Sequence, residues 1–516
     1  MNQRARWWAL GVLCTSLILI TVDTTILNVA LPTLSRTLST SEGQLQWIVD
    51  AYTVVFAALL LTGGNLGDWL GRRRILAIGL VIFGLGCAGS ALVTTAPALI
   101  AMRALTGAGA ALIFPATLSI ITNLFTEPVE RQKAIAVWAS TGGIGIALGP
   151  LAGGILLEHF YWGSIFLVNL PVIVLALVGL ARFVPESRDP VHHQLDILGA
   201  LLSIAGLSIV IYGIIKGGSD GWSAPSTVIA IAAGLAIIAL LLVHEARARY
   251  PMLDLHVFRN GRFAGASVAV TAVYFTLFGT IFLLTQHLQE LLRYGTLAAG
   301  IRTVPFAVVL IVVANSTPRI VGRFGPRLPI VIGLLVAAGS QLLRIASTSS
   351  SGYGIVFASQ VVFAAGMGLI IAPATASIMG SVPPTRAGMG SAINDTTRQV
   401  GGALGVAVMG SVAAGGFRTE LLHRVPNAAP KARGSLGAAL QVASTSGNRV
   451  SASRLVDASQ QAFIHGLRMA SAVGFAVALV GAVVSWRLLP GGRALAGQTE
   501  HAVPRQTAAD ESTAAA

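Results

Sequence analysis

Five ionisable residues sit inside stretches that are otherwise apolar: Asp23, Asp50, Arg103, Asp395 and Arg398. A carboxyl group in such surroundings can exchange a proton or hold a cation, because loss of water penalises its charged form and makes it sensitive to its neighbours. Up to Arg103 the apolar runs hold two acids and one base, so Arg103 can neutralise one carboxylate and leave the other available. Asp23 is expected to couple protons together with Arg103. Asp50 is expected to recognise a cationic substrate, with Asp23 contributing. The alternatives are a helix-capping or helix–helix hydrogen-bonding role for Asp23 and a water-exposed mouth position for Asp50. Asp395 and Arg398 are spaced i, i+3 and can pair on one helix face, so Asp395 is either a further proton-coupling acid or half of a structural pair.

The elements that position these groups must be membrane spans. The chain has 516 residues, 54% hydrophobic and only 10% charged, whereas soluble domains are about 25% charged. Lipid removes the need for a polar exterior, and the 58 glycines suit close helix packing in a bilayer. A crossing takes about 20 apolar residues. Candidate spans lie near 8–32, 45–64, 75–94, 98–121, 133–156 and 164–183, then near 196–215 and 226–244. Six more lie near 263–288, 297–317, 328–346, 354–378, 388–413 and 465–488. Fourteen spans result, arranged as a six-helix bundle over 1–190, two linking helices over 191–262 and a second six-helix bundle over 263–490. The last bundle would carry a long outer loop, 414–464, and 491–516 would be a disordered cytoplasmic tail.

With the N-terminus inside, the inner loops carry Arg72, Arg73, Arg74, Arg131, Lys133, Arg182, Arg188, Arg247, Arg249, Arg259, Arg262, Arg319, Arg323, Arg327 and Arg386. The short outer loops carry far fewer, Arg36, Lys216, Arg293, Arg302 and Arg344, while the long outer stretch 414–464 is basic but of a length that crosses largely regardless of charge. Inner loops collect Lys and Arg, so both termini are expected in the cytoplasm. The same bias accounts for the net charge of +14 without nucleic acid. His287 and Glu290 fall near an outer span end and are expected at the interface. Cys14 and Cys87 lie in apolar runs and read as small buried hydrophobes, not a disulfide. No metal-type spacing and no phosphate loop is present.

Two glycine-bearing stretches look like gating elements. Gly64, Gly67, Asp68, Gly71, Arg72 and Arg73 fall in the second-to-third loop; Gly71 permits a tight turn, and Asp68 can accept hydrogen bonds from a helix N-terminus or an arginine. A weak echo recurs at Arg319–Arg327, where Gly325 aligns with Gly71 and Gly322 stands where Asp68 does. In the fifth span, Gly145, Gly149, Gly153 and Gly154 surround Pro150, a pattern for close helix contact beside a kink. Phe56, Phe114, Tyr274, Phe275, Phe278, Phe306 and Met367 could line a hydrophobic pocket; the plainer reading is that they pack between helices or face lipid.

These motifs carry a resemblance. Val22–Pro32, with Asp23 inside it, resembles the first-helix motif of the fourteen-span drug/proton antiporters of the major facilitator superfamily. Gly64–Arg74 is similar to that superfamily's loop motif, Arg103–Gly109 to its fourth-helix motif, and Gly145–Gly154 to the fifth-helix motif of its antiporters. Asn394–Gly402 is similar to a thirteenth-helix stretch of the subfamily, and Gln46–Tyr52 resembles the quaternary-ammonium exporters, although Asp395 stands alone where that branch carries more acids. The resemblance implies an all-α polytopic membrane protein with the major facilitator fold: two six-helix bundles plus two central helices. It implies proton-driven efflux of lipophilic, cationic drugs or antibiotics across a bacterial cell membrane, by a monomer that contacts lipid, binds no nucleic acid and uses no cofactor beyond the proton gradient. A dedicated self-resistance exporter of one antibiotic and an uptake symporter are the alternatives within transport. A membrane enzyme or sensor would need a catalytic cluster or soluble domain that this sequence lacks.

Overall fold

The computed structural model describes residues 3–187, 196–248, 255–382, 387–446 and 448–490. Its long helices are α1 (Gln3–Leu38), α2 (Glu42–Leu70), α3 (Arg72–Leu92), α4 (Ala96–Leu124), α5 (Pro128–His159) and α6 (Ser164–Phe183, with a turn at Val168). Next come α7 (Ile197–Asp220) and α8 (Pro225–Arg247). The last set is α9 (Gly261–Leu291, ending in a π-helical turn), α10 (Thr296–Phe324), α11 (Arg327–Ile345), α12 (Tyr353–Met379), α13 (Ala387–Arg424) and α14 (Arg449–Leu488). Thirteen of the described helices are long and apolar enough to cross a membrane. The 32-residue α5 lies at the place of the remaining expected span. Leu85, Val178, Ile229, Val312 and Val480 are exposed on the helix surfaces, as a lipid-facing exterior requires.

The helix pairing repeats with an offset of eight. Pairs α1–α5, α2–α4, α3–α4, α3–α6 and α1–α6 recur as α9–α13, α10–α12, α11–α12, α11–α14 and α9–α14. The turn between α2 and α3 has Gly71 at φ +110°, and its counterpart between α10 and α11 has Gly325 at φ +73°. Both are left-handed positions where a side chain is strained. The weak echo between the two loops is therefore an echo of backbone, not of side-chain chemistry.

The two inserted helices pair with each other, and α7 also packs on α2 and α13, where the first six helices meet the last six. A Cβ at Gly218 would lie 2.6 Å from the Ser411 carbonyl oxygen, which shows how closely α7 approaches α13. Helix α8 rides outside, with 17% of its apolar window buried.

The segment 414–464, expected as a long loop, is mostly helical. α13 continues to Arg424, a short helix spans Leu436–Thr445, and α14 begins at Arg449. Polar residues extend these helices past the apolar runs because Ser, Arg and Glu are tolerable helix formers; α13 runs through Gly415 and Gly416 and ends two residues before Pro426. For the same reason α1 spans Gln3–Leu38, beyond the expected 8–32. The expected tail, 491–516, lies outside the described residues.

Candidate functional site

Asp23 and Arg103 form an ion pair that is sealed from solvent. Arg103 Nη1 lies 2.7 Å from Asp23 Oδ2, with side-chain exposures of 1% and 0%. The other carboxylate oxygen accepts from Asn169 Nδ2 at 3.1 Å and lies 3.9 Å from the Cys87 thiol. Arg103 Nε donates to the Ile48 carbonyl at 3.4 Å, and its guanidinium stacks over the Tyr52 ring, 4.6 Å from the centroid. One charge pair therefore ties α1 to α4, with α2, α3 and α6 contributing the surround. A buried pair of this kind persists only when its remaining lone pairs and protons are satisfied.

Small residues make the cluster possible. A Cβ at Gly107, one turn beyond Arg103, would lie 2.4 Å from the Tyr52 carbonyl oxygen, and one at Gly86 would lie 2.4 Å from Thr106 Oγ1. The backbones of α2, α3 and α4 thus touch, which brings Ile48 and Cys87 within reach of the pair. Asn169 and Cys87 carried no recognisable signal for this role in the sequence; an Asn inside an apolar run was the one available hint.

Asp50 does not join this cluster. Ile48 and Tyr52 face Arg103, so Asp50, two residues from each, falls on another face of α2. Its neighbours one turn away on either side are Gln46 and Val54. Gln46 Oε1 accepts from Ser411 Oγ of α13 at 3.3 Å. Val54 packs with Val210 and Ile211 of α7 and with Ala403 and Ala407 of α13. Asp50 is fully buried, and neither carboxyl oxygen has a hydrogen-bond partner. The expected convergence of Asp23, Asp50 and Arg103 is corrected: helix rotation sends Asp50 to the seam between the halves.

Asp395 and Arg398 do pair, at 3.3 Å, and Arg398 Nη2 also donates to Thr375 Oγ1 of α12 at 3.0 Å. Arg398 lies 5.5 Å from the Tyr274 ring centroid. The arrangement fastens α13 to α12 and α9.

At the end of the bundle away from Gln3, hydrogen bonds cross the seam. Gln286 Nε2 donates to Glu42 Oε1 at 2.8 Å, Gln289 Nε2 to the Val29 carbonyl at 2.8 Å, and Thr296 Oγ1 to the Gly154 carbonyl at 3.3 Å. His287 and Glu290, expected at the interface, are buried here at 1% and 5% exposure, because the segment beyond Arg424 folds over them: a Cβ at Gly437 would lie 2.6 Å from Glu290 Oε1.

The fifth-helix glycines serve two contacts. A Cβ at Gly145 or Gly149 would lie 1.8 or 1.9 Å from the hydroxyls of Thr21 and Thr25, and one at Gly153 would lie 2.9 Å from the Ile26 side chain. On the adjoining face, Gly154 abuts Leu297, and Gly300 abuts the Pro150 carbonyl. Helix α5 is thus a blade between α1 and α10.

At the opposite end, Gly71 lets α3 begin against the segment after α6. Glu186 Oε1 accepts from the Arg73 amide at 3.1 Å, Arg72 N donates to the Ser187 carbonyl at 2.9 Å, and Arg73 Nη2 donates to the Ala181 carbonyl at 3.2 Å. The carboxylate on this helix N-terminus is Glu186, to which no local pattern points, since it lies 113 positions from Arg73. Gly64 and Gly67 lie within α2; the side chain of Asp68 lies outside the described residues.

A cavity of about 60 Å³ opens between the halves, lined by α1, α5 and α9–α12. Thr25, Asn28 and Pro150 contribute from the first six helices, and Thr280, Phe306, Gln341, Arg344, Gln360 and Phe363 from the last six. Arg344, expected in an outer loop, is 3% exposed within α11. Of the aromatic and methionine residues proposed for a pocket, Phe306 lines this one; Phe56 and Met367 pack in the core.

Comparison with known proteins gives consistent results. The sequence model for the Major Facilitator Superfamily matches residues 13–406. The chain is 35% identical over 481 residues to the multidrug efflux pump LfrA of Mycolicibacterium smegmatis, covering 93% of this chain and 95% of that one. It is 32% identical over 488 residues to the puromycin resistance protein pur8 of Streptomyces alboniger, covering 94% and 91%. Among solved structures, a bacterial homologue of the human lysosomal transporter Spinster, inward-facing and unoccupied, superposes with a TM-score of 0.66 at 16% identity, covering 95% and 99%.

Proposed function

This chain belongs to the Major Facilitator Superfamily, and from that premise we propose that it exports lipophilic drug-like compounds in exchange for protons. Relatives named as multidrug efflux and antibiotic resistance proteins align over nearly their whole length, which favours export. The arginine-rich loops support a cytoplasmic side for both termini, in a bacterial cell membrane like those of the relatives' organisms; on that orientation the hydrogen-bonded seam end faces outward and closes the exit.

The observation that carries the mechanism is the division of the two buried acids. Asp23 is neutralised by Arg103, whereas Asp50 lies unpartnered in the closed seam. An ionised carboxyl buried without a partner is too costly to persist, so Asp50 holds the transported proton while the exit is shut. Loss of that proton to the cytoplasm places a bare charge between α2, α7 and α13. Opening the seam lets water reach the charge, and the bound compound is released outside. Reprotonation from the exterior allows the seam to close. Asp23 and Arg103 keep α1 registered on α4 during the cycle; Asp395 and Arg398 fasten α13, the partner surface of α2.

Asp50→Asn tests this role. The amide is nearly isosteric and permanently neutral, so the seam should stay closed. In everted vesicles under an inward-acid pH gradient, the variant should lose at least about tenfold of the proton-driven ethidium uptake, equivalent to about 1.4 kcal/mol in the barrier. Detergent-solubilised protein should still bind ethidium. Uptake within twofold of wild type would remove Asp50 from the coupling step.

A further inference from the structure

Among the described residues, the cavity between the halves is lined by one charged group, and it is a cation. Arg344 is 3% exposed, on α11, one turn from the cavity-lining Gln341. Its Nε and Nη2 have no hydrogen-bond acceptor, and no carboxylate among the described residues lies within ion-pair distance of it. Those two nitrogens form the side edge of the guanidinium, the fork that donates to both oxygens of a carboxylate at once. Arg103 and Arg398, by contrast, each have a carboxylate partner, Asp23 and Asp395.

An unpaired guanidinium inside a membrane protein is expensive and marks a ligand path. Two further unsatisfied polar atoms line the same cavity. Gln341 donates its amide to Thr280 Oγ1 at 3.2 Å, and Gln360 donates to the Arg302 carbonyl at 3.3 Å, yet each Oε1 is left without a partner. Phe306 and Phe363, with rings 6.2 Å apart and stacked, supply the apolar wall beside them.

We propose that Arg344 is the recognition site for a carboxylate on the exported compound, with Gln341 and Gln360 beside it taking the hydrogen-bond donors that flank that acid. The ligand class is an aromatic or otherwise apolar molecule bearing a carboxylate, zwitterions included. A cavity of about 60 Å³ admits the acid end of such a molecule and not a whole drug-sized body, so Arg344 reads one functional group. This assignment rests on the efflux reading only for the origin of the ligand; the binding itself is separable from transport.

The probe pair is rhodamine 110, which has a free carboxylate, and rhodamine 123, its methyl ester. Fluorescence anisotropy with purified wild-type protein at pH 8 should show rhodamine 110 bound about tenfold more tightly. Arg344→Gln should erase that preference while leaving rhodamine 123 within about twofold, and Arg344→Lys should retain part of it. Without any variant, benzoate should displace rhodamine 110 from the wild type and leave rhodamine 123 in place. Equal binding of the two probes, tighter binding of the ester, no binding of either, or an equal loss of both in Arg344→Gln would overturn the assignment. So would displacement by inorganic phosphate as effective as that by benzoate, which would mark a general anion site. Discrimination between the probes without pH-driven movement of either in vesicles would leave Arg344 as the acid-reading group and overturn the efflux reading instead.

Discussion

At the scale of single residues, the pairing of Asp23 with Arg103 dominates. Each group is buried beyond the reach of water, so removing one strands the other. Asp23→Asn should lower stability by roughly 3–5 kcal/mol, and Arg103→Gln by a similar amount. The double variant Asp23→Asn with Arg103→Gln should cost clearly less than the sum, because no charge is left behind. Thermal unfolding followed by tryptophan fluorescence in detergent reads this; strict additivity would show that the pair is not a coupled unit. The presence of these charges was legible from the sequence, since an acid inside an apolar run is conspicuous. Which acid meets Arg103 was not, because it depends on helix rotation: Asp50 is two residues from both Ile48 and Tyr52 and still faces away. Arg344 was misplaced for a related reason. A charge in the last turn of an apolar helix looks like a loop residue until packing shows its side chain buried between helices.

At the scale of elements, α5 is the part whose shape leaves least room. Its Gly145, Gly149 and Gly153 stripe admits α1 so closely that a single methyl group would collide with Thr21, Thr25 or Ile26. Gly149→Ala should therefore push α1 and α5 apart and reduce transport several-fold. Adding Thr25→Ala removes the hydroxyl at 1.9 Å but not the Cβ at 2.9 Å, so rescue should be partial. Vesicle uptake at matched protein levels checks both; full activity in Gly149→Ala would show that the close approach is dispensable. The fifth-helix pattern announced close packing, and the positive φ at Gly71 agrees with the tight turn read there. The partners of these elements were invisible, because Glu186 reaches Arg73 across 113 residues and no local pattern encodes a contact at that separation. Helix ends were the least legible feature, as the continuation of α13 and α14 through 414–464 illustrates.

At the scale of the whole molecule, the seam end away from Gln3 is held by hydrogen bonds between the halves, with Glu42 and Gln286 in direct contact. Replacing both with cysteine should let an oxidant lock that end shut. Transport should fall to background on oxidation and return on reduction, while each single cysteine variant stays insensitive. Cys14 and Cys87 are buried and need not be removed. Continued transport by the fully cross-linked protein would mean that this end does not open during the cycle. The repeated helix pairing and the inserted α7–α8 pair were foreseeable from span counting; the wedge of α7 into the seam was not, because lipid-facing and seam-facing apolar residues look alike in sequence.

The offset of eight in the helix pairing has a historical consequence. A chain that packs twice in the same pattern bears the imprint of a duplication, and the turn glycines at 71 and 325 preserve it where the flanking side chains have drifted apart. The two copies have since specialised. Asp50, proposed above to carry the proton, belongs to the first, whereas Gln341, Arg344, Gln360 and the aromatic wall, proposed to read the compound, belong to the second. With the roles proposed above, mutation can retune what is carried without disturbing how its carriage is powered, so descendants facing a new toxin would be expected to diverge first along α11 and α12.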